Sequence, residues 1–207
     1  MYLIKTPRFI KKIFSSFVWD IKTNEKVIYL TFDDGPHASI TPFVLDALKK
    51  YNAKATFFCI GKNVEQNLEV YERIINDGHC LGNHTYNHLN GWHSDLKTYI
   101  EDTEKASLII KSNLFRPPYG KITKSQSREL IKLGYKIIMW DVLSGDFDIN
   151  LNKEKCLQSV KSKTKAGSII VFHDSEKAFE KLNFVLPLIL KHFNKEGYNF
   201  QSFKKII

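Results

Sequence analysis

Short apolar runs that end at turn residues recur along the chain, and longer stretches with apolar positions at helical spacing lie between them. The run at 27–32 is rich in β-branched and aromatic residues and stops at Asp33-Asp34-Gly35-Pro36, which predicts a buried strand feeding a loop. Thr41-Pro42 then opens a helix to about residue 51, with proline in its first turn. A second strand is expected over 55–60, and a helix over 64–76 closed by Asp77-Gly78. A short strand over 79–82 leads into the polar segment 83–93, and a helix over 94–112 follows. Leu114-Phe115 read as a strand stopped by Arg116-Pro117-Pro118-Tyr119-Gly120, and a helix over 125–133 ends at Gly134. Strands at 135–141 and 168–172 and helices at 153–163 and 178–193 complete the pattern, with Pro187 able to kink the last helix. Residues 197–203 read as a final strand or edge segment.

Strands alternating with helices predict an α/β fold, a mainly parallel sheet or barrel with outer helices. The polar motifs all fall just after strands: Asp33-Asp34, the His84 segment, Arg116, Asp146 and His173. The carboxyl ends of parallel strands lie together at one end of such a sheet, where α/β enzymes carry their chemistry. No repeat, low-complexity tract or interdomain linker interrupts the pattern. The expected organisation is an N-terminal extension over 1–26, packed on the body or near a membrane, and a catalytic domain over 27–207.

Composition supports a folded core: 43% of the 207 residues are hydrophobic, with 15 Phe and 9 Tyr. A net charge of +9 attracts anionic partners, but the basic residues are spread along the chain as on a solvated surface. No zinc-finger, recognition-helix or glycine-rich single-strand motif is present, so nucleic acid is not an expected partner. Cys59, Cys80 and Cys156 are too few and too widely spaced for a disulfide framework or a metal knuckle. Lys5, Arg8, Lys11 and Lys12 interrupt the apolar residues of the N-terminus, so it carries no clear secretory signal. That favours the cytoplasm or the inner membrane face, with an envelope location open. A short amphipathic helix over 7–17 is suited to peripheral contact with an anionic membrane or wall, or to packing on the body.

The candidate chemistry centres on His84-Thr85-Tyr86-Asn87-His88 and on Asp33-Asp34. Two imidazoles four residues apart can close on one metal, and Asp34 can add an oxygen ligand. Such a set suits Zn²⁺ and also Co²⁺, Ni²⁺ or Fe²⁺. Alone, the two histidines read more readily as surface or core residues than as ligands, and Asp-Gly-Pro fits a solvated turn as well as a site. Adjacent carboxylates at a strand end, however, require a cation, an arginine or a proton beside them.

Four segments, Thr31-Phe32-Asp33-Asp34-Gly35-Pro36, His84-Thr85-xx-His88, Arg116-Pro117-Pro118-Tyr119-Gly120 and Val171-Phe172-His173-Asp174, appear in the order found in polysaccharide deacetylases. On these motifs the chain resembles the NodB-homology family, carbohydrate esterase family 4, over residues 31–174. The resemblance implies a distorted, incomplete (β/α) barrel of about seven parallel strands with outer helices. It implies removal of acetyl groups from N-acetylated amino sugars in an oligo- or polysaccharide, or in some members from O-acetyl xylan. Asp34, His84 and His88 then correspond to the ligands of one divalent metal, Asp33 to the general base and His173 to the general acid. The backbone N–H of Tyr119 corresponds to the oxyanion donor.

Arg116 is the expected partner of Asp33, since its planar fork can hold a carboxylate at two points. Val171 should point the same way as His173 and line a pocket for the acetyl methyl. The family pattern breaks after the fifth strand. Asp146 matches the carboxylate that tunes the acid histidine, but Leu143 replaces a first Asp and Phe147 replaces a tryptophan. Asp141 is a reserve candidate for that carboxylate. His37, Tyr86, Trp92 and His93 are candidates for shaping the cleft, and at most one of His79 and Cys80 should face it. The competing classes are an O-acetyl esterase or other amide hydrolase at the same metal, and a glycan-binding protein with a decayed site.

Overall fold

All seven residues of β1 (Val27–Asp33) are buried, as expected of a strand covered on both faces at the centre of a parallel sheet. The computed structural model describes residues 2–205. After α1 (Arg8–Ile13) and β1 come α2 (Ile40–Lys49), β2 (Thr56–Cys59), α3 (Gly61–Gln66), α4 (Leu68–Asn76) and β3 (Cys80–Asn83). They are followed by α5 (Leu96–Ser107), β4 (Leu114–Phe115), α6 (Lys124–Lys132), β5 (Lys136–Ile137) and β6 (Val142–Leu143). The chain ends with α7 (Lys153–Lys163), β7 (Ile169–His173), α8 (Glu176–Lys195) and β8 (Asn199–Phe200).

The strands form one parallel sheet in the order β5-β4-β3-β2-β1-β7-β6, with β8 added against the start of β1. The sheet is curled into an incomplete barrel with helices around it. Its two ends, β5 and β6, belong to one stretch of chain but share no ladder with each other. The single strand expected over 135–141 is therefore two. Ile138 still donates to Phe115 on β4, whereas Asp141 donates to Ile169 on β7, so the stretch changes partners midway. The helix expected over 64–76 is also two, divided at Asn67, whose φ of −137° and ψ of 49° leave the helical region.

Alternation along β1 sorts its side chains. Ile28, Leu30 and Phe32 join the core under the outer helices, while Val27 and Tyr29 join Phe58, Leu114, Ile138, Ile169 and Phe203 on the other face. Thr31 and Asp33 share that second face by periodicity. Register then aligns the strand ends: Asp33 pairs with Phe58 and with His173, Cys59 with Asn83, and Asn83 with Phe115. Asp34, His84 and Arg116 are the next residues after three of these positions. One end of the sheet therefore collects the polar motifs.

Residues 5–20 lie against the β5–β6 stretch and the start of β7. Lys5 bridges Val142 in antiparallel sense, Val18 bridges Ile138, and Asp20 bridges Ser168. Buried Asp141 anchors this segment, receiving Lys5 and Lys11 as well as the Ser168 hydroxyl at 2.6 Å. Asp141 is thus a structural counter-ion and lies outside the site. The helix expected over 7–17 is limited to six residues. Cys59, Cys80 and Cys156 are free. Among the described residues no helix is long and apolar enough to cross a membrane.

Candidate active site

Asp34, His84 and His88 each offer one ligand atom within 4.8 Å of the others, and among the described residues they form the one such group. Asp34 Oδ1 lies 3.3 Å from His88 Nε2 and 3.8 Å from His84 Nε2. His84 Nδ1 lies 2.7 Å from the Arg116 carbonyl, so its N–H donates there and Nε2 is left as the ligand atom. The donors fit a divalent metal on their own terms, being two imidazole nitrogens and one carboxylate oxygen on a converging triad. Burial holds the His84 imidazole down at about 4, which keeps it neutral for ligation. Burial alone would raise the Asp34 carboxyl, but the hydrogen bond with His88 and the charges of His173, His84 and His88 hold it well below the usual carboxylate range.

The backbone is bent to bring these groups together. Asp34 (φ 80°), Thr85 (φ 62°), His88 (φ 58°) and Tyr119 (φ 60°) are all left-handed without being glycine. Strain of this kind concentrates where function fixes the chain. The 84–88 turn is held from outside by Asn83, whose Oδ1 accepts from Thr85 N–H at 2.8 Å. Asp102 on α5 accepts from the N–H groups of Tyr86 and Asn87, both at 2.9 Å. Asp174 does the same for the 33–36 turn, accepting from Gly35 N–H at 3.1 Å and from Thr41. A Cβ at residue 35 would lie 2.1 Å from Asp174 Oδ2, so only glycine fits there. Burial pushes the Asp174 carboxyl up to about 7.

Asp33 is buried and belongs to a different network. Its Oδ1 accepts from Arg116 Nη1 at 2.7 Å, and the same nitrogen reaches Thr31 Oγ1 at 2.7 Å. Arg116 Nε and Nη2 donate to the carbonyls of Ile138 (3.1 Å) and Met139 (2.8 Å), and its Cζ lies 4.1 Å from the Phe58 ring centre. The expected two-point clamp on Asp33 is therefore a one-point contact, because the other donors bind Thr31 and the β5–β6 stretch. This arginine has no exposed surface, and its charge is stabilised by one carboxylate and by oriented carbonyls.

His173 meets buried Asp146 twice, its backbone N–H donating to Oδ2 and Nδ1 lying 2.8 Å from Oδ1. Ser144 Oγ donates to the same Oδ1 at 2.8 Å, which fixes the carboxylate. Burial opposes the charged imidazole, but Asp146, followed by Asp34 and Asp33, raises His173 to about 9. Tyr119 lies in a tight turn in which Gly120 and Lys121 donate to the carbonyls of Pro117 and Pro118. Its ring packs on His88 with centroids 4.6 Å apart.

These groups open on a cavity of about 830 Å³ lined by Asp33, Asp34, His84, His88, Tyr119, Leu143, Phe147, Val171 and His173. Tyr2 and Trp140 also line it, which the sequence pattern did not single out. His37, Tyr86, Trp92 and His93 are not in its wall. His37 instead accepts from Ser39 N–H, Tyr86 donates to Glu65, and Trp92 stands exposed beside Lys121. His79 accepts from Ala55 N–H at 3.1 Å and borders a smaller surface cleft, and Cys80 is likewise absent from the site.

Comparison with known proteins gives the same direction. The family model described as polysaccharide deacetylase matches residues 20–138. A peptidoglycan-N-acetylglucosamine deacetylase of Bacillus cereus (strain ATCC 14579) is 34% identical over 195 residues, spanning 91% of this chain and 92% of its own. The peptidoglycan-N-acetylmuramic acid deacetylase PdaA of Bacillus subtilis (strain 168) is 30% identical over 189 residues, 87% of this chain and 71% of its own. Among solved structures, a peptidoglycan N-acetylglucosamine deacetylase in complex with 4-naphthalen-1-yl-N-oxidanyl-benzamide superposes with a TM-score of 0.87. Its identity is 29%, with 93% of this chain and 92% of that one covered. With its metal triad, curled parallel sheet and ordered motifs, the chain belongs to the polysaccharide deacetylase family, the NodB-homology group of carbohydrate esterase family 4.

Proposed function

We propose that this protein is a metal-dependent hydrolase that removes the acetyl group from N-acetylated amino sugars, with the N-acetylglucosamine of peptidoglycan as its main substrate. The observation that carries the reading is the division of the site into a metal triad and two groups held away from it. Asp33 is held by Arg116, and His173 is held by Asp146. The relatives' action on peptidoglycan amino sugars supports the choice of polymer.

Amide hydrolysis needs an activated water, a stabilised oxyanion and a proton for the departing nitrogen. A divalent ion held by Asp34, His84 and His88, which we propose to be Zn²⁺, supplies Lewis acidity toward water and the acetyl carbonyl. Asp33 accepts the water proton at Oδ2, since Oδ1 is engaged by Arg116. Tyr119 N–H, fixed by the proline-bounded turn, donates to the developing oxyanion. His173, with Nδ1 on Asp146, delivers a proton from Nε2 to the leaving amine. Leu143 and Val171 in the cavity wall receive the acetyl methyl. The exposed side chains of Phe9, Ile13 and Phe14 beside Arg8 and Lys12 support a peripheral contact with an anionic membrane or wall.

The test is acetate release from chitooligosaccharides, peptidoglycan fragments and acetylated xylan, with metal removed and restored. Metal-dependent release from the amino-sugar substrates is expected. Release that survives complete metal removal, or release from xylan alone, overturns the reading.

The acid role of His173 has a pH signature. An acid must be protonated, so the raised value keeps it competent at neutrality and turnover falls as pH rises through about 9. Asp146→Asn removes the main charge that raises the imidazole, and the basic limb of the kcat profile is expected to move down toward the ordinary histidine range. A limb that stays in place in D146N excludes His173 as the group it reports.

A further inference from the structure

Residues 4–6 run antiparallel to β6. Leu143 N–H donates to the Ile4 carbonyl at 2.8 Å and Thr6 N–H donates to the Asp141 carbonyl at 3.0 Å. Because Leu143 is at the site end of β6, this direction carries Tyr2 into the cavity wall. The Lys5 and Lys11 contacts to buried Asp141 fix the segment from below.

Tyr2 is held there from three sides. Its ring lies 5.1 Å from that of Phe147, which in turn lies 5.1 Å from His173. Its hydroxyl donates to Asp148 Oδ2 at 2.8 Å. Gly145, at φ 78°, makes the approach possible, since a Cβ at that position would lie 2.8 Å from the Tyr2 oxygen. The result is a file of rings, Tyr2, Phe147 and His173, that leads outward from the acid histidine. Sugar rings present apolar C–H faces, and an aromatic wall with a fixed polar tip is suited to receive them. Tyr2 is half-buried, its hydroxyl is engaged with Asp148, and it borders the cavity.

We propose that Tyr2, supplied by the N-terminal segment, is a substrate-positioning residue that receives the sugar next to the one that loses its acetyl group. This rests on the amino-sugar reading above. The catalytic groups all come from residues 33–173, whereas this subsite depends on the chain's first strand-like segment. The segment ahead of β1 therefore takes part in choosing between short and long substrates.

The experiment compares wild type, Tyr2→Ala and Tyr2→Phe as metal-loaded proteins. It measures acetate release from the N-acetylglucosamine monomer and tetramer, tetramer binding by calorimetry, and thermal melting. In Y2A the tetramer's advantage over the monomer in kcat/KM is expected to shrink about fivefold, mainly through KM, with a matching rise in tetramer Kd. Y2F keeps the ring and is expected to retain most of that advantage. An unchanged tetramer-to-monomer ratio and Kd in Y2A overturn the inference, even if melting shifts. Wild type that binds tetramer but releases no acetate overturns the deacetylase reading instead, and the Kd comparison still decides for or against Tyr2.

Discussion

Asp33→Asn is expected to lower kcat by about a thousandfold while the protein keeps its metal, the size of effect that general-base removal produces. The reason is the separation of the two adjacent carboxylates. Asp34 turns through a left-handed backbone toward His84 and His88, whereas Asp33 sits on the strand and bonds Arg116. Asparagine preserves the shape and can still accept from Arg116 Nη1, but it cannot take a proton from water. The loss of charge beside a fully buried guanidinium should also cost about 1.5–3 kcal/mol of stability, the range for a hydrogen bond to a charged group. Metal content by elemental analysis, acetate release and a melting curve separate these effects. Loss of metal in D33N would make Asp33 a ligand, and near-normal turnover would remove it from the base role.

Much of this division was legible in the sequence because strand ends announce themselves. The apolar run before Asp33-Asp34 and the run before His173 each required a buried parallel strand, and the order of the four motifs carried the family. The pairing Asp33↔His173 follows once β1 and β7 are neighbours. What local pattern could not give was any contact set by register or by distant chain. The run at 135–141 looks like one strand, but its two halves bond to opposite ends of the sheet, and nothing in hydrophobic spacing encodes a change of partner. Asp102 supports the His84 turn from a helix, and its spacing there is that of an ordinary surface carboxylate. Left-handed Thr85, His88 and Tyr119 carry no glycine or asparagine to mark them. Tyr2 lies far from every motif, and the antiparallel pairing of its segment with β6 brings it to the cleft.

His84→Ala and His88→Ala are expected to lose metal and turnover together, and the comparison between them tests the triad more sharply than either alone. A three-donor set reduced to two keeps no closed site, and the affinity loss should exceed the roughly 10–100-fold that follows from disturbing a partner behind a ligand. H84A carries a second cost. His84 is nearly fully buried and donates to the Arg116 carbonyl, so its removal leaves a void and an unpaired acceptor in the interior. Its melting temperature should fall even in metal-free protein. His88 is more exposed, with its ring against Tyr119, so H88A should fold with little change while acetate release drops to background. Metal content after dialysis, melting with and without added Zn²⁺, and acetate release at saturating substrate read the three consequences apart. Wild-type melting should rise with Zn²⁺, by linkage between binding and folding, and that rise should vanish in both variants. H88A that still binds metal and still releases acetate would exclude the triad as the catalytic centre.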